Sequence, residues 1–497
     1  MSCSLFGRIN IRSNEAVFKQ GFVLTDFCED TNFAALQPHP CPFSTPTDSG
    51  RFASPTGVRL GLITGIFIAC TLAARGQDPV QEDPLQPSST DYTVAETNAA
   101  PPPPSLPYPV SLSDSKGGAL GGGNVPSGEP RRFHYELGLT VRGVYDDNIF
   151  ISHTDRVSDY YFAIEPRLTL GFGDMEGRGT NYIRLDYMPS ILLFVDHSNQ
   201  DDVDHLIHLE ARHQFSRLTL VFSQDVDILR NANLNSLIDT TGQFANIDVS
   251  ARTELNLYVS RVRAYYDLTE KVFLSGEFDA SIYDYRNDFI DSEIFSGGLY
   301  INYKWTPKVV VGIGGTGGIM QVGEGNPDQP FAQVNVRLSY EATGKLNFYA
   351  SVGVEFREFD SNRSERTTPV FEIGGIYRPF DGTTITLVAN RSMLASGFFQ
   401  NQDFAATNVV LRIQQRLLQR FYLGLSAGYE NADYFATANG VDATRDDNYY
   451  FVEPSVDVLI NRHFSVGAYY LHREDSSSLD VFSFYDNQVG VRATVRF

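Results

Sequence analysis

Histidines and acidic residues come together at one place in the sequence. His205, His208 and His213 surround Glu210 and Arg212. Imidazole and carboxylate groups are common zinc ligands and common partners of catalytic nucleophiles, so this group is a candidate metal or catalytic site. On a β-strand, however, His208, Glu210 and Arg212 share one face and do not converge on a point. We therefore predict that the protein is not an enzyme and has no catalytic residue, metal site or cofactor.

Three acidic runs offer oxygen ligands for Ca²⁺, or for divalent ions that bridge lipopolysaccharide molecules. None of them has the glycine-centred spacing of a calcium-binding loop. We interpret them as solvated loops. The runs are Asp146-Asp147-Asn148, Asp201-Asp202 with Asp204, and Asp446-Asp447-Asn448.

All cysteines lie near the start of the chain, which excludes a thiol nucleophile and a cysteine-ligated metal site from the remaining 427 residues. Cys70 lies within the apolar run from Leu60 to Ala74, which follows Arg59 and ends in small residues. This pattern predicts a signal peptide at 58–76, with an anchor helix or a lipoprotein cysteine as alternatives. The other three are Cys3, Cys28 and Cys41.

Two further segments flank the predicted signal peptide. Residues 1–57 lack periodicity, and we interpret them as a mis-annotated or disordered extension. Residues 77–132 are rich in Pro, Gly, Ser and acidic residues, which predicts a disordered periplasmic linker.

Composition narrows the class of the remaining chain. The 497 residues carry a formal net charge of -21, which argues against a nucleic-acid partner. Aromatic residues make up 13% of the chain, and 41 residues are glycine, which favours β-structure. The mean hydropathy of -0.20 excludes a bundle of transmembrane helices.

From Phe133 onward, apolar and polar residues alternate in segments of ten to fifteen residues. In one segment Phe348, Ala350 and Val352 alternate with Tyr349 and Ser351. This period of two predicts strands with one apolar and one polar face. Eighteen are expected, near 134–145, 159–173, 180–195, 204–213, 217–228, 249–267, 271–285, 293–304, 308–320, 331–342, 345–357, 368–378, 383–393, 405–417, 420–432, 448–461, 463–474 and 483–497.

The segment 249–267 is out of phase, because Leu255, Leu257 and Val259 do not share a face with Val262, Ala264 and Tyr266. A bulge or a misplaced boundary would explain the break. If the segment is not a regular strand, 16 strands are the alternative.

A closed antiparallel membrane barrel at 133–497 is the predicted fold, and a soluble sandwich is the alternative. Short connections alternate with long ones rich in Asp, Asn and Ser, as in outer-membrane barrels. The polar strand faces carry small and charged residues, which predicts a water-filled interior. The last strand ends in Phe497, and a terminal aromatic there resembles the assembly signal of outer-membrane barrels.

The alternation assigns side chains to the two faces of the barrel. Tyr135, Tyr187, Tyr303, Tyr340, Tyr377 and Tyr429 are expected to face lipid near strand ends. Charged residues of the polar face are candidates for lining a pore; side chains simply paired across strands are the alternative. They are Glu165, Arg167, Arg212, Lys304, Arg337, Glu372, Arg378, Arg412, Arg416, Glu453, Asp457, Arg492 and Arg496.

Residues 137–150 (LGLTVRGVYDDNIF) and 158–174 (SDYYFAIEPRLTLGFGD) resemble the β-barrel porins encoded beside exopolysaccharide and exosortase gene clusters. The resemblance implies an outer-membrane pore for solutes or for exopolysaccharide export. It implies outer-membrane lipid, lipopolysaccharide, the barrel-assembly machinery and polysaccharide-export components as partners. A non-conducting barrel that binds through its loops is the alternative function.

Overall fold

The computed structural model describes residues 133–173, 181–230, 248, 253–286, 289–343, 345–359, 364–380 and 382–497. The predicted extension, signal peptide and linker therefore lie outside the described residues. Among the described residues, no helix has the length and apolar character needed to cross a membrane.

Eighteen antiparallel strands form one sheet that closes on itself. Each strand pairs with the next in sequence, and β1 pairs with β18 from Gly138↔Arg496 to Asp146↔Gln488. The predicted closed 18-stranded barrel is confirmed, and the 16-stranded and sandwich alternatives are wrong. The strands are β1 (Phe133–Asp146), β2 (Asp159–Gly173), β3 (Tyr182–Phe194), β4 (Asp202–Gln214), β5 (Leu218–Leu229), β6 (Leu255–Asp267), β7 (Val272–Tyr285), β8 (Ser292–Thr306), β9 (Val309–Val322), β10 (Gln329–Thr343), β11 (Leu346–Phe359), β12 (Ser364–Tyr377), β13 (Thr383–Ala395), β14 (Gln402–Leu417), β15 (Phe421–Ala436), β16 (Asp446–Asn461), β17 (Phe464–Ser477) and β18 (Phe484–Arg496).

The two ends of the barrel differ in their connections. We call the end where β1 begins and β18 ends the turn end; it holds short connections such as 307–308 and 462–463. The opposite end, the loop end, holds longer ones such as 147–158 and 230–254. Short turns face the periplasm and long loops face outward in barrels of this kind, which orients the chain.

Most of the wall alternates as predicted. On β1, Tyr135, Leu137 and Leu139 are exposed on the outside, whereas Thr140 and Arg142 are buried on the inside. An apolar outer face next to a polar inner face is the pattern of a barrel in lipid. Five predicted girdle tyrosines are exposed on the outer face, at 135, 303, 340, 377 and 429.

Two of the girdle predictions are wrong in position. Tyr187 lies on the outer face but is the sixth residue of β3, where it hydrogen-bonds His205 at 3.0 Å. Tyr429 is the ninth residue of the 16-residue β15. Neither lies near a strand end, because alternation predicts the face of a residue and not its height.

The phase break in β6 has a structural cause other than a bulge. The pairing of β6 with both neighbours is continuous from Leu255 to Tyr266. Leu257 and Val259 are buried on the inner face, at 4% and 1% exposure. The inner face of β6 is therefore apolar near the loop end, and the predicted bulge is wrong.

The wall is interrupted between β12 and β13. Their register runs from Tyr377↔Ile385 only to Phe371↔Arg391, so that the loop-end halves of the two strands are not paired. Pro369 lies in the unpaired half of β12. Proline has no N–H to donate to a ladder and is normally found at sheet edges.

Prolines elsewhere in the wall interrupt pairing only briefly. The β2–β3 ladder skips the residues around Pro166 and Pro189 and then resumes, and the β16–β17 ladder does the same at Pro454. At Pro369 the ladder does not resume. The strands β12 and β13 therefore stay separated over their whole loop-end halves.

Beyond the interruption, β13 and β14 fold into the barrel. Asp403 shares a strand face with Val409, which is exposed on the outside. Yet Asp403 is buried and accepts a hydrogen bond of 3.2 Å from Gln329 on the inner face of β10. It also lies 3.9 Å from Arg357 on the inner face of β11. The loop-end part of the β13–β14 hairpin thus packs its outer face against the inner face of β10 and β11.

The other face of this hairpin packs on the remaining wall. Leu394 and Phe404 belong to a buried cluster with Tyr449 on β16 and Phe484 on β18, and Ile294 on β8 packs against it. A second apolar cluster covers the inner face of β3 to β7 at the same level. The predicted water-filled interior is therefore wrong for the loop half, which is packed with apolar clusters and buried ion pairs. The turn half has the charged inner face described below.

Candidate functional site

A row of alternating charges crosses the inner face of the barrel. His208 on β4 lies 2.6 Å from Asp225 on β5, and Asp225 lies 3.6 Å from Arg261 on β6. Arg263, two residues further on the same face of β6, contacts Asp279 on β7 at 2.8 Å. We call this row, completed by two more residues, the charge ladder; its members are His208, Asp225, Arg261, Asp279, Arg263, Glu277 and Arg337.

The end of the charge ladder spans two strands. Arg337 on β10 contacts Glu277 on β7 at 2.5 and 3.1 Å, reaching across β8 and β9. Its guanidinium stacks on the ring of Tyr300 at 3.3 Å. The ring in turn covers Gly314 of β9, where a Cβ would collide with it. Glycine at 314 therefore lets the aromatic ring lie flat and the arginine extend over it.

The same arrangement of an aromatic ring over a neighbouring glycine recurs on the inner wall. Each ring occupies the space that a Cβ would need, so that large inward side chains lie along the wall and leave room beside it. The further pairs are Phe331 with Gly318, Phe451 with Gly428, and Tyr469 with Gly490.

A second group of ion pairs lies where the barrel closes. Arg142 on β1 contacts Glu165 on β2 at 2.6 Å and donates to the hydroxyl of Tyr469 at 3.0 Å. Arg492 on β18 contacts Asp457 on β16 at 2.5 Å. These pairs tie β1 and β18 to the strands on either side.

The charge ladder is less buried than the ion pairs inside the loop half. The side chains of Arg263 and Asp279 are 28% and 30% exposed, whereas those of Arg473 and Asp486 are 1% and 0% exposed. Ions and polar solutes interact most with charges that keep contact with water. The ladder, like the pairs Lys304–Asp267 and Arg496–Glu136 nearer the turn end, is therefore placed to meet a solute.

The structure places the predicted pore residues on inner strand faces or at the turn end, and a role in lining a pore stays a prediction. Arg378 follows the last residue of β12 and, like Arg416, is exposed at the turn end. Several are paired across strands: Lys304 contacts Asp267 at 3.4 Å, and Arg496 contacts Glu136. The residues on the inner face are Glu165, Arg167, Arg212, Lys304, Arg337, Glu372, Arg412, Glu453, Asp457, Arg492 and Arg496.

Sequence reasoning missed most of the charge ladder. Arg261 and Arg263 were missed because the phase break in β6 left its inner face unassigned. The spacing of two residues between charges of one sign was the available signal, because it places both on one strand face. The missed inner-face residues are Arg142, Asp225, Arg261, Arg263, Glu277 and Asp279.

The loop end is held by a group of contacts that we call the latch. The carboxylate of Asp248 accepts hydrogen bonds from the Ser396 hydroxyl at 2.9 Å, the Gly397 N–H at 2.5 Å and the Tyr434 hydroxyl at 2.8 Å. Arg445 donates to the carbonyl of Asp248 at 3.0 Å and contacts Asp447 at 2.6 Å. The latch thus joins three separate loop-end segments of the chain.

Burial affects the ionisation of Asp248 in the latch. Burial raises the pKa of the Asp248 carboxyl above its ordinary value, although Arg445 and the hydroxyl of Tyr434 oppose the shift. The Arg445 guanidinium also lies 3.7 Å over the ring of Phe482. Phe482 contacts Phe398 at 5.1 Å, so that aromatic rings surround the ion pair.

The acidic runs are not the solvated loops that we expected. Asp146, Asp204 and Asp447 are fully buried at strand ends. Asp146 and Asp147 lie close to Asp486, and oxygens of the three lie within 4.8 Å of one another. Each of these carboxylates, however, already accepts hydrogen bonds, from donors that include Asn148, Asn487, Gln488 and Arg473.

The histidine group is divided between the two faces of β4. His208 faces inward and belongs to the charge ladder, whereas His205 faces outward and contacts Tyr187. His213 packs on Phe215, with ring centroids 4.3 Å apart. The structure does not bring the three histidines together.

Comparisons with known proteins agree with a barrel of the porin kind. Residues 376–497 match a family model described as "Putative beta-barrel porin 2". No curated protein matches the chain.

Solved outer-membrane proteins show a distant likeness. OccAB3 of Acinetobacter baumannii is 12% identical, with 73% of this chain and 99% of that chain covered and a TM-score of 0.36. OccK3 (OpdO) of Pseudomonas aeruginosa is 12% identical, with coverages of 73% and 95% and a TM-score of 0.35. At these TM-scores the likeness carries no argument, and the fold follows from the strand pairing. The chain is a closed outer-membrane β-barrel of 18 antiparallel strands, and its last quarter matches a family of β-barrel porins.

Proposed function

We propose that the barrel is a porin-like channel for small polar and charged solutes, which enter a vestibule in its turn half. The observation that carries this proposal is the partial exposure of the charge ladder. Arg261, Arg263 and Arg337 are 19%, 28% and 19% exposed, although all three are paired with carboxylates. Charges of both signs on an inner wall act on passing ions through the field between them.

The loop half of the same interior is closed in this conformation. The inward hairpin and the latch fill it with side chains such as Phe404 and Tyr434, which are 1% and 4% exposed. A channel with this interior has a closed resting state, and passage requires the loop half to open.

The test is single-channel recording of the refolded full chain in a planar bilayer, compared with the Asp248→Asn variant. We expect rare openings for the natural sequence and more frequent openings when the latch is weakened. A complete lack of conductance in both proteins, with the barrel folded, would contradict the channel and favour the non-conducting barrel that binds through its loops.

Export of exopolysaccharide is a second candidate, favoured by the resemblance of 137–150 and 158–174 to porins encoded beside polysaccharide gene clusters. A polymer chain needs the whole length of the interior, so this function requires the loop half to empty. Liposome swelling with monosaccharides and with oligosaccharides separates the two candidates. Entry of both sugars supports export, and entry of the monosaccharide alone supports passage of small solutes.

A further inference from the structure

The unpaired edges of β12 and β13 match each other in register. Extending the ladder beyond Phe371↔Arg391 would place Val370 opposite Ser392 and Thr367 opposite Ala395. Both edges belong to otherwise intact strands: β12 pairs with β11 as far as Ser364, and β13 pairs with β14 as far as Ala395. We call these two unpaired edges, residues 364–370 of β12 and 392–395 of β13, the seam; they match in register but are not hydrogen-bonded to each other.

We propose that this seam closes, and that the loop-end part of the β13–β14 hairpin moves between the interior and the wall. In the inward state the hairpin fills the loop half, and in the outward state it completes the β12–β13 ladder and empties the loop half. The consequence for conduction rests on the proposed channel function.

The side chains of the β13–β14 hairpin are compatible with a position in the wall. Leu394 and Phe404 lie on the inner face of the hairpin and stay inside in both states. The outer face moves from the interior to the outside of the wall, and it carries both Asp403 and the apolar Met393; the inner face loses its packing on Ile294 of β8. Asp403 is fourteen residues from Leu417 at the turn end of β14. An apolar band of about 25 Å is crossed by about ten residues, so Asp403 would lie beyond it among headgroups and water.

The inward state depends on few polar contacts at the outer face of the hairpin. They are the contacts of Asp403 with Gln329 and Arg357, a bond of 2.5 Å from the Asn401 N–H to Asn326, and one of 3.0 Å from the Gln400 amide to Glu324; the latch also holds the tip of the hairpin through Ser396 and Gly397. Closing the seam would replace them with ladder hydrogen bonds. Pro369 provides no N–H for that ladder, so the closed seam is weaker than an ordinary strand pair. Two states with comparable contacts are what a switch requires.

The test uses a disulfide that forms only when the seam closes. The full chain with Cys3, Cys28, Cys41 and Cys70 replaced by serine receives Thr367→Cys and Ala395→Cys. A disulfide needs Cα atoms about 4.4–6.8 Å apart, which directly opposed residues of paired strands provide. Ile376→Cys with Thr386→Cys is the matched control, because these residues are already paired across the same two strands.

We expect the seam pair to cross-link more slowly than the control pair but to completion. We also expect oxidation of the seam pair, but not of the single Thr367→Cys variant, to raise the open probability roughly tenfold or more, because a minor state of a few per cent becomes the only one. Reduction should reverse the change.

The outcomes separate the two proposals. If the control pair cross-links and the seam pair does not, the hairpin does not return to the wall and the inference is wrong. If the seam pair cross-links and no conductance appears, the movement stands and the channel function is wrong. If the seam pair cross-links and an existing conductance is unchanged, the seam closes without emptying the loop half, and that part of the inference is wrong.

Discussion

Ala405 and Ala406 follow one another in β14, and both are completely buried. Their side chains point to opposite faces of the strand, so in a barrel wall one of them would face lipid or headgroups. Burial of both means that this part of β14 has protein on each side. The same holds for Met393 and Leu394 in β13.

Because the ring of Tyr300 lies over Gly314, we predict that adding one methyl group at position 314 destabilises the barrel. A Cβ at 314 would collide with this ring and with the carbonyl of Leu299. We expect Gly314→Ala to destabilise the barrel by about 1–3 kcal/mol, the usual cost of overpacking. The control is Gly297→Ala, where the nearest atom to the new Cβ lies 3.8 Å away. Urea unfolding in detergent, followed by the gel mobility of the folded form, measures both; equal midpoints would refute the packing argument.

Arg337 predicts a change in ion selectivity. Arg337→Gln removes one positive charge from the charge ladder and leaves Glu277 without its shortest ion pair. We expect the preference for cations over anions to rise by up to roughly fivefold, which corresponds to about 1 kcal/mol between charges in water. Reversal potentials in a salt gradient measure the ratio. Arg420→Gln, in an exposed turn, should leave the ratio unchanged, and an equal shift in this control would assign the effect to net charge alone.

Asp248 predicts a pH dependence of the latch. Its pKa is raised above the ordinary value by burial, so the folded protein binds this proton more tightly than the unfolded chain does. Folding therefore favours the neutral form of Asp248, and the folded latch loses stability as the pH rises through the raised pKa. We expect openings to become more frequent from about pH 4 toward neutrality.

The variant Asp248→Asn has no such proton, and its open probability should depend less on pH in this range than that of the natural sequence. Asp442→Asn, an exposed acid in a loop-end connection, is the control and should retain the dependence. A pH profile that is identical in the natural sequence and in Asp248→Asn would show that another group titrates.

We predict that replacing Phe497 impairs assembly of the barrel in cells but not the stability of the folded barrel. Its N–H donates to the Leu137 carbonyl at 2.8 Å, but its side chain is 72% exposed. We expect Phe497→Ala to lower the amount of barrel assembled in cells while changing the stability of the refolded barrel by less than about 0.5 kcal/mol. Phe380→Ala, 74% exposed at a turn, is the control. Normal assembly of Phe497→Ala would remove the predicted role of this residue.

Strand number and the inner face of most charged residues follow from the period of two, because each strand has one apolar and one polar side. Closure follows instead from the alternation of short and long connections, the small and charged residues of the polar faces and the terminal Phe497. The inward hairpin does not follow from it. Alternation tells which residues share a face, and it does not tell whether that face stays in the wall. The phase break at Leu255 to Val259 and the consecutive apolar residues 404–406 are the traces of the packed loop half in the sequence. Both sequence features arise because strands far apart in the chain pack against each other in the loop half.

The position of Ala405 tests the inward hairpin most directly. Ala405→Cys, in the full chain without its four native cysteines, is exposed to a membrane-permeant maleimide in native outer membranes. Asp433→Cys is the matched control, because its side chain lies on the same sheet face of β15 and is 52% exposed. The inward hairpin predicts rapid labelling at 433 and almost none at 405. Equal labelling rates at the two positions would place β14 in an ordinary wall and contradict the packed loop half.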